Sequence, residues 1–134
     1  SLRGDLNIIE AAKSKQYGPL PSISPVFGNL LLTFNKKVWF ASLRYQFSGA
    51  KDPEEYSENG EDGLEETPLI SDSLQLYAGT PAWSELSFLT QYQWNEKIRF
   101  RLGLDNIFDV HYRSFASGVS APSRNLKLGV NIQL

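Results

Sequence analysis

Two segments near the end of the chain alternate almost without fault. Ile98, Phe100, Leu102 and Leu104 fall on one face of a strand, and Arg99, Arg101, Gly103 and Asp105 on the other. Leu126, Leu128, Val130, Ile132 and Leu134 alternate in the same way with Asn125, Lys127, Gly129, Asn131 and Gln133. Successive side chains of a strand point to opposite faces, so each segment has one apolar and one polar wall. Residues 38–48 repeat the pattern, with Trp39, Ala41, Leu43, Tyr45 and Phe47 set against Phe40, Ser42, Arg44, Gln46 and Ser48. Residues 83–94 do so with Leu86, Phe88, Tyr92 and Trp94 against Glu85, Ser87, Gln91 and Gln93, while Leu89 and Thr90 depart mildly from it. A further strand is predicted over 27–34. Residues 1–12 read as a strand of poor alternation, with a helical turn at 8–13 as the competing reading.

The connections are of two kinds. Asn35 to Lys37 and Asn95 to Lys97 are tight polar turns. Residues 13–26, with three prolines and a glycine, 49–81 and 106–123 are long connections, the second running to about thirty residues where a hairpin loop takes about two to five. If the turn at 95–97 closes a hairpin, Trp94 lies opposite Ile98, Gln93 opposite Arg99 and Gln91 opposite Arg101. Apolar then meets apolar and polar meets polar, so the register is self-consistent. The chain thus predicts about six antiparallel strands of about 9 to 12 residues, with short turns on one edge and long loops on the other, as in outer-membrane barrels.

Alternation leaves open which wall faces outward. A soluble sandwich or lipocalin-like barrel turns the apolar wall in, and a membrane barrel turns it out. Trp39 and Trp94 both lie on the apolar face beside a short turn, the place of an aromatic girdle at headgroup level. The polar face carries Arg44, Gln91, Arg99, Arg101 and Lys127, which suits a wet lumen. The fold class expected is therefore all-β, an antiparallel up-and-down transmembrane β-barrel segment.

Composition adds limits. In 134 residues no run of about 18 apolar residues occurs, so no transmembrane helix is expected, but strands cross a membrane without such a run. Aromatic content is 13%, which suits ring-bearing strands. There is no cysteine and no methionine, which excludes a disulfide framework and a thiolate metal site. The lack of an initiator Met and an opening in mid-pattern, with no signal peptide, suggest a mature or truncated piece of a longer protein. The net charge is −2 but unevenly placed, because residues 51–66 hold eight acids and one lysine. That stretch is expected to be a solvated, mobile loop reachable from outside the cell.

Leu104 to Gly129, LDNIFDVHYRSFASGVSAPSRNLKLG, resembles the C-terminal end of TonB-dependent outer-membrane receptors. In that family an Asn-hydrophobic-Phe-Asp segment, here Asn106, Ile107, Phe108 and Asp109, is followed by Tyr-Arg, here Tyr112 and Arg113. A variable outer loop then leads through Pro-small-Arg-Asn, here Pro122, Ser123, Arg124 and Asn125, into the final strand. Gly79 to Phe88 also resembles the start of the third-from-last strand, and the resemblance covers about residues 18–134. Lys127, Gly129, Ile132 and Leu134 resemble the terminal assembly signal of outer-membrane proteins, with Leu134 where the family usually has Phe. The resemblance implies a barrel of about 22 strands plugged by an N-terminal domain. It implies energy-coupled import of a ferric siderophore, cobalamin or another scarce solute across the outer membrane of a Gram-negative bacterium.

It further implies that residues 1–134 are a C-terminal barrel portion without the plug. The implied partners are outer-membrane lipid, the missing strands and plug, TonB through the missing N-terminal part, and the outer-membrane assembly machinery. A passive porin or adhesin barrel and a soluble barrel binding an apolar ligand are the other readings carried forward. No enzyme activity and no cofactor are expected, because the chain offers no catalytic set, phosphate loop or metal-ligand cluster. His111 is the single histidine, a poor metal site with only Asp109 beside it. Arg99 and Arg101 could attract an anionic chelate but more readily line a hydrated wall or bond the plug. Basic and aromatic residues lie on opposite faces, which argues against nucleic acid.

Overall fold

The computed structural model of the protein describes residues 1–10, 22–57 and 62–133. They form eight strands: β1 (Leu2–Ile9), β2 (Phe27–Lys36), β3 (Trp39–Ser48), β4 (Leu69–Ser71), β5 (Leu76–Tyr77), β6 (Trp83–Gln93), β7 (Ile98–Asp105) and β8 (Asn125–Ile132). Six build one sheet in the order β1-β2-β3-β6-β7-β8, antiparallel throughout, while β4 and β5 form a small hairpin inside the β3–β6 connection. The main sheet is an all-β up-and-down meander that does not close on itself, since β1 and β8 each have one neighbour among the described residues.

The register follows the alternation. Leu43 faces Leu32 and Phe88, Phe88 faces Leu104, and Leu104 faces Leu126. The opposite wall pairs Gln93 with Arg99 and Gln91 with Arg101, as the hairpin reading required. A slip of one residue would send every apolar side chain to the polar wall, so the pattern itself pins the pairing.

Nothing among the described residues forms a layer over the apolar wall. Among the described residues Tyr56 is the one buried apolar side chain, and it lies in a loop. Leu2 is 76% exposed, Leu128 74% and Ile132 64%. Side chains of this kind gain about 1.5 to 3 kcal/mol each on leaving water, so this wall needs a non-aqueous neighbour that the described residues do not supply.

Some element boundaries differ from the expectation. The first turn is Lys37 and Val38, two residues later than composition suggested, because Asn35 and Lys36 stay in the ladder opposite Phe40 and Trp39. Lys37 adopts φ 50°, which lets the chain reverse in two residues. In the second turn the Asn95 carboxamide oxygen accepts from the backbone N–H of Lys97 and of Ile98, both at 2.9 Å. Ile8 and Ile9 belong to β1 rather than to a helical turn, and residues 11–13 lie outside the described residues.

Candidate functional site

The long connections gather at one end of the sheet, beyond Phe27, Ser48, Trp83, Asp105 and Asn125. On the polar wall just below them, Glu85 is buried at 3% exposure. Its carboxylate accepts a 2.7 Å bond from the Ser87 hydroxyl and lies 3.8 Å from the Arg44 guanidinium. Above it Tyr112 stacks on Trp83 with ring centroids 4.0 Å apart. Burial pushes the Tyr112 phenol above its ordinary pKa, and the Glu85 charge adds to this while Arg44 opposes it. The indole N–H of Trp83 is buried with no acceptor among the described residues. These rings form one wall of a cleft of about 340 Å³ that Pro68, Thr80, His111 and Arg113 also line. The cleft is thus walled by aromatic faces and the Arg113 side chain, while the Trp83 N–H lies beneath the surface.

The residues carrying the family pattern build the β7–β8 connection. Asn106 is 4% exposed and takes φ 48°; Asp109 takes φ 56°. Asn and Asp tolerate this left-handed region better than other residues with a β-carbon, which explains the two residue types at that spacing. The Asn106 carboxamide donates to the Val110 carbonyl at 2.9 Å and the Pro122 carbonyl at 3.2 Å, and accepts from the Val110 N–H at 2.9 Å. Asp109 accepts the Arg124 backbone N–H at 2.7 Å, so both ends of the connection close on the motif. Arg124 reaches the Ile107 carbonyl at 3.5 Å, and Asn125 opens β8 opposite Asp105. Arg113 donates at 2.6 Å to the Glu66 carbonyl, tying this connection to the β3–β6 one. Phe108 points away, 71% exposed.

The polar-wall candidates fall into three places. Gln91, Arg99 and Arg101 meet in one groove beside Gly129, with Arg99 donating to the Gln93 carboxamide at 2.6 Å. Arg44 belongs to the Glu85 cluster, and Lys127 forms its own ion pair with Asp105. On the apolar wall Trp39 and Trp94 are joined through other rings. Trp39 packs on Tyr92 at 4.6 Å, Tyr92 meets Trp94 at 6.3 Å and Trp94 meets Phe100 at 6.5 Å. Lys127, Gly129 and Ile132 lie in β8, whereas Leu134 lies outside the described residues.

The described part of the acidic stretch is organised, contrary to the expectation of a solvated, mobile loop. Lys51, Tyr56 and Asp62 are buried there, and the Lys51 ammonium pairs with Asp62 at 2.9 Å. Composition hid this because the partners come from distant segments, although a single lysine in an acidic run was the available signal. Residues 58–61 lie outside the described residues. Among the described residues no three His, Cys, Asp or Glu side chains converge on a common point, and His111 is exposed.

With this geometry the sheet has a counterpart among solved structures. It is similar to part of the copper transporter OprC. The match has a TM-score of 0.71 over 98% of this chain at 17% identity, and it takes in 21% of the OprC chain. At that identity the likeness speaks for the fold, and this chain spans about a fifth of its counterpart. No protein-family model matches the sequence, and no curated protein matches it at the sequence level.

Proposed function

We propose that the chain is the C-terminal barrel portion of a TonB-dependent outer-membrane receptor. The whole receptor imports a scarce solute, a ferric siderophore, cobalamin or a similar molecule, with energy delivered through TonB. The observation that carries this reading is the two-walled sheet. Six strands present an uncovered apolar wall on one side and Arg44, Gln91, Arg99, Arg101 and Lys127 on the other, with short turns at one end and folded connections at the other. The apolar wall then meets lipid, the Trp39–Tyr92–Trp94–Phe100 rings form a girdle at headgroup level, and the polar wall lines the lumen. The two free sheet edges are completed by the missing strands, because an open edge in lipid leaves backbone groups unpaired. Lys127, Gly129 and Ile132 serve the assembly machinery, and a plug upstream meets the polar wall.

The chain's own residues offer copper little. It has no cysteine, no methionine and a single exposed histidine, so a soft-metal site has to come from elsewhere in the receptor. The reading is tested with the whole parent protein in cells, by uptake of labelled ferric chelates, cobalamin and copper with TonB present or deleted. Saturable uptake of one solute that stops without TonB is expected. Uptake independent of TonB would leave a passive barrel, and recovery of the protein in the soluble fraction would remove the membrane assignment.

A further inference from the structure

Lys51 is the one basic residue of the acidic stretch, and its side chain is 3% exposed. The ammonium donates to the Ile23 carbonyl at 2.7 Å and to the Asp62 carboxylate at 2.9 Å. It also stands 4.2 Å from the Phe115 ring centroid and 4.6 Å from that of Tyr56. Ile23 lies in the β1–β2 connection, Tyr56 and Asp62 in the β3–β6 connection, and Phe115 in the β7–β8 connection. One charge therefore touches all three long connections.

Its surroundings are satisfied as well. Asp62 accepts the backbone N–H groups of Ser22 and Ser57. Lys51 and Thr80 exchange backbone bonds of 2.9 and 3.0 Å, and the Thr80 hydroxyl shares a 2.6 Å bond with Tyr56. A buried ammonium tolerates this place only while its carboxylate, carbonyl and ring faces are all present. Withdrawing one connection takes a partner from the ammonium while the other two still hold it partly out of water, which penalises partial opening.

We propose that Lys51 is a latch that makes the described parts of the three long connections, those that carry Ile23, Tyr56 with Asp62, and Phe115, open and close as one unit. Thr80 belongs to both the latch and the cleft beside Trp83, so the width of the cleft follows the state of the latch. The inference concerns loop coupling and does not depend on what the protein transports.

The test is amide hydrogen exchange by mass spectrometry on the full-length protein, comparing the parent with Lys51→Met, Asp62→Asn and Phe115→Ala. Lys51→Met keeps the stem and removes the charge. It should speed exchange at 22–26, 52–57 and 112–117 together, by on the order of tenfold, and leave the strands unchanged. Phe115→Ala is the sharper variant, since Phe115 and Ile23 are joined through the ammonium. It should loosen 22–26 as well as its own connection. Loosening confined to 51–57 in Lys51→Met, or to the β7–β8 connection in Phe115→Ala, would overturn the latch. If Lys51→Met fails to assemble, Asp62→Asn and Phe115→Ala carry the same comparison.

Discussion

Asn106 is the residue whose replacement is most informative. Its backbone lies at φ 48°, and its carboxamide makes three bonds that join the start, middle and end of the β7–β8 connection. Alanine at this position would meet two penalties. A left-handed backbone costs an ordinary L-residue about 1 to 2 kcal/mol, a cost that asparagine partly escapes. Each lost bond is worth about 1 kcal/mol; Pro122 is exposed, so its carbonyl recovers water, whereas the half-buried Val110 recovers less. Together they put Asn106→Ala at about 3 to 5 kcal/mol. Glycine removes the bonds but accepts the backbone, so Asn106→Gly should cost about 1 kcal/mol less than alanine. The assay is denaturant unfolding of the refolded full-length protein in detergent, followed by tryptophan fluorescence. A loss below about 1 kcal/mol for Asn106→Ala, or glycine as damaging as alanine, would refute the account.

Three other outcomes follow from the same geometry. Leu128→Arg in the full protein should cost about 2 to 4 kcal/mol and Asn131→Arg almost nothing; lipid-borne quenchers should dim a fluorophore at Leu126, Leu128 or Val130 strongly and one at Lys127 or Asn131 weakly, and uniformly weak quenching would sink the membrane assignment. Gly79 takes φ 73°, and a β-carbon there would run into the Lys51 carbonyl, so Gly79→Ala should part Lys51 from Thr80 and speed amide exchange at both, while unchanged exchange would count against the bridge. Burial alone would raise the Asp62 pKa, but the bonds from Ser22, Lys51 and Ser57 and the Lys51 charge outweigh it and hold the carboxyl below its ordinary value. Its stabilisation is therefore present above about pH 4 and lost as pH falls through the lower folded value, so the Ser57 amide should stay protected to below pH 4; loss of protection near pH 6 would contradict this.

What the sequence disclosed is what depends on near neighbours. A period of two writes both walls of β3, β6, β7 and β8 directly into the chain, and facing walls then select the register at Gln93–Arg99 and Gln91–Arg101. Turn positions were less legible, because Asn35 and Lys36 have the composition of a turn yet hydrogen-bond as strand. The Glu85–Ser87 pair was visible as polar-wall residues, but its burial was not, nor was the stacking of Trp83, which opens β6, on Tyr112 from the β7–β8 connection. Lys51 was hidden for the same reason. Its partners lie 28, 11 and 64 residues away in sequence, and composition carries no trace of contacts at that range.

The placement of the motif residues bears on how far the resemblance reaches. Asn106, Asp109 and Arg124 are all engaged within the β7–β8 connection, two of them at backbone angles that few other residues accept. They fold the connection between the last two strands, and on the proposed reading other side chains would meet the solute. A pattern made of such residues marks an architecture, so proteins sharing it can carry different solutes. The likeness to OprC is one of fold alone, over 98% of the chain at 17% identity. On the proposed reading, the choice of solute would fall instead to side chains that line the cleft: Trp83, His111 and the Pro68–Thr80 side. On that reading, replacing those cleft residues in the full protein should move solute preference and leave assembly intact, whereas Asn106→Ala or Asp109→Ala should do the reverse. A change of preference on replacing the motif residues alone would show that architecture and solute choice are not separable here.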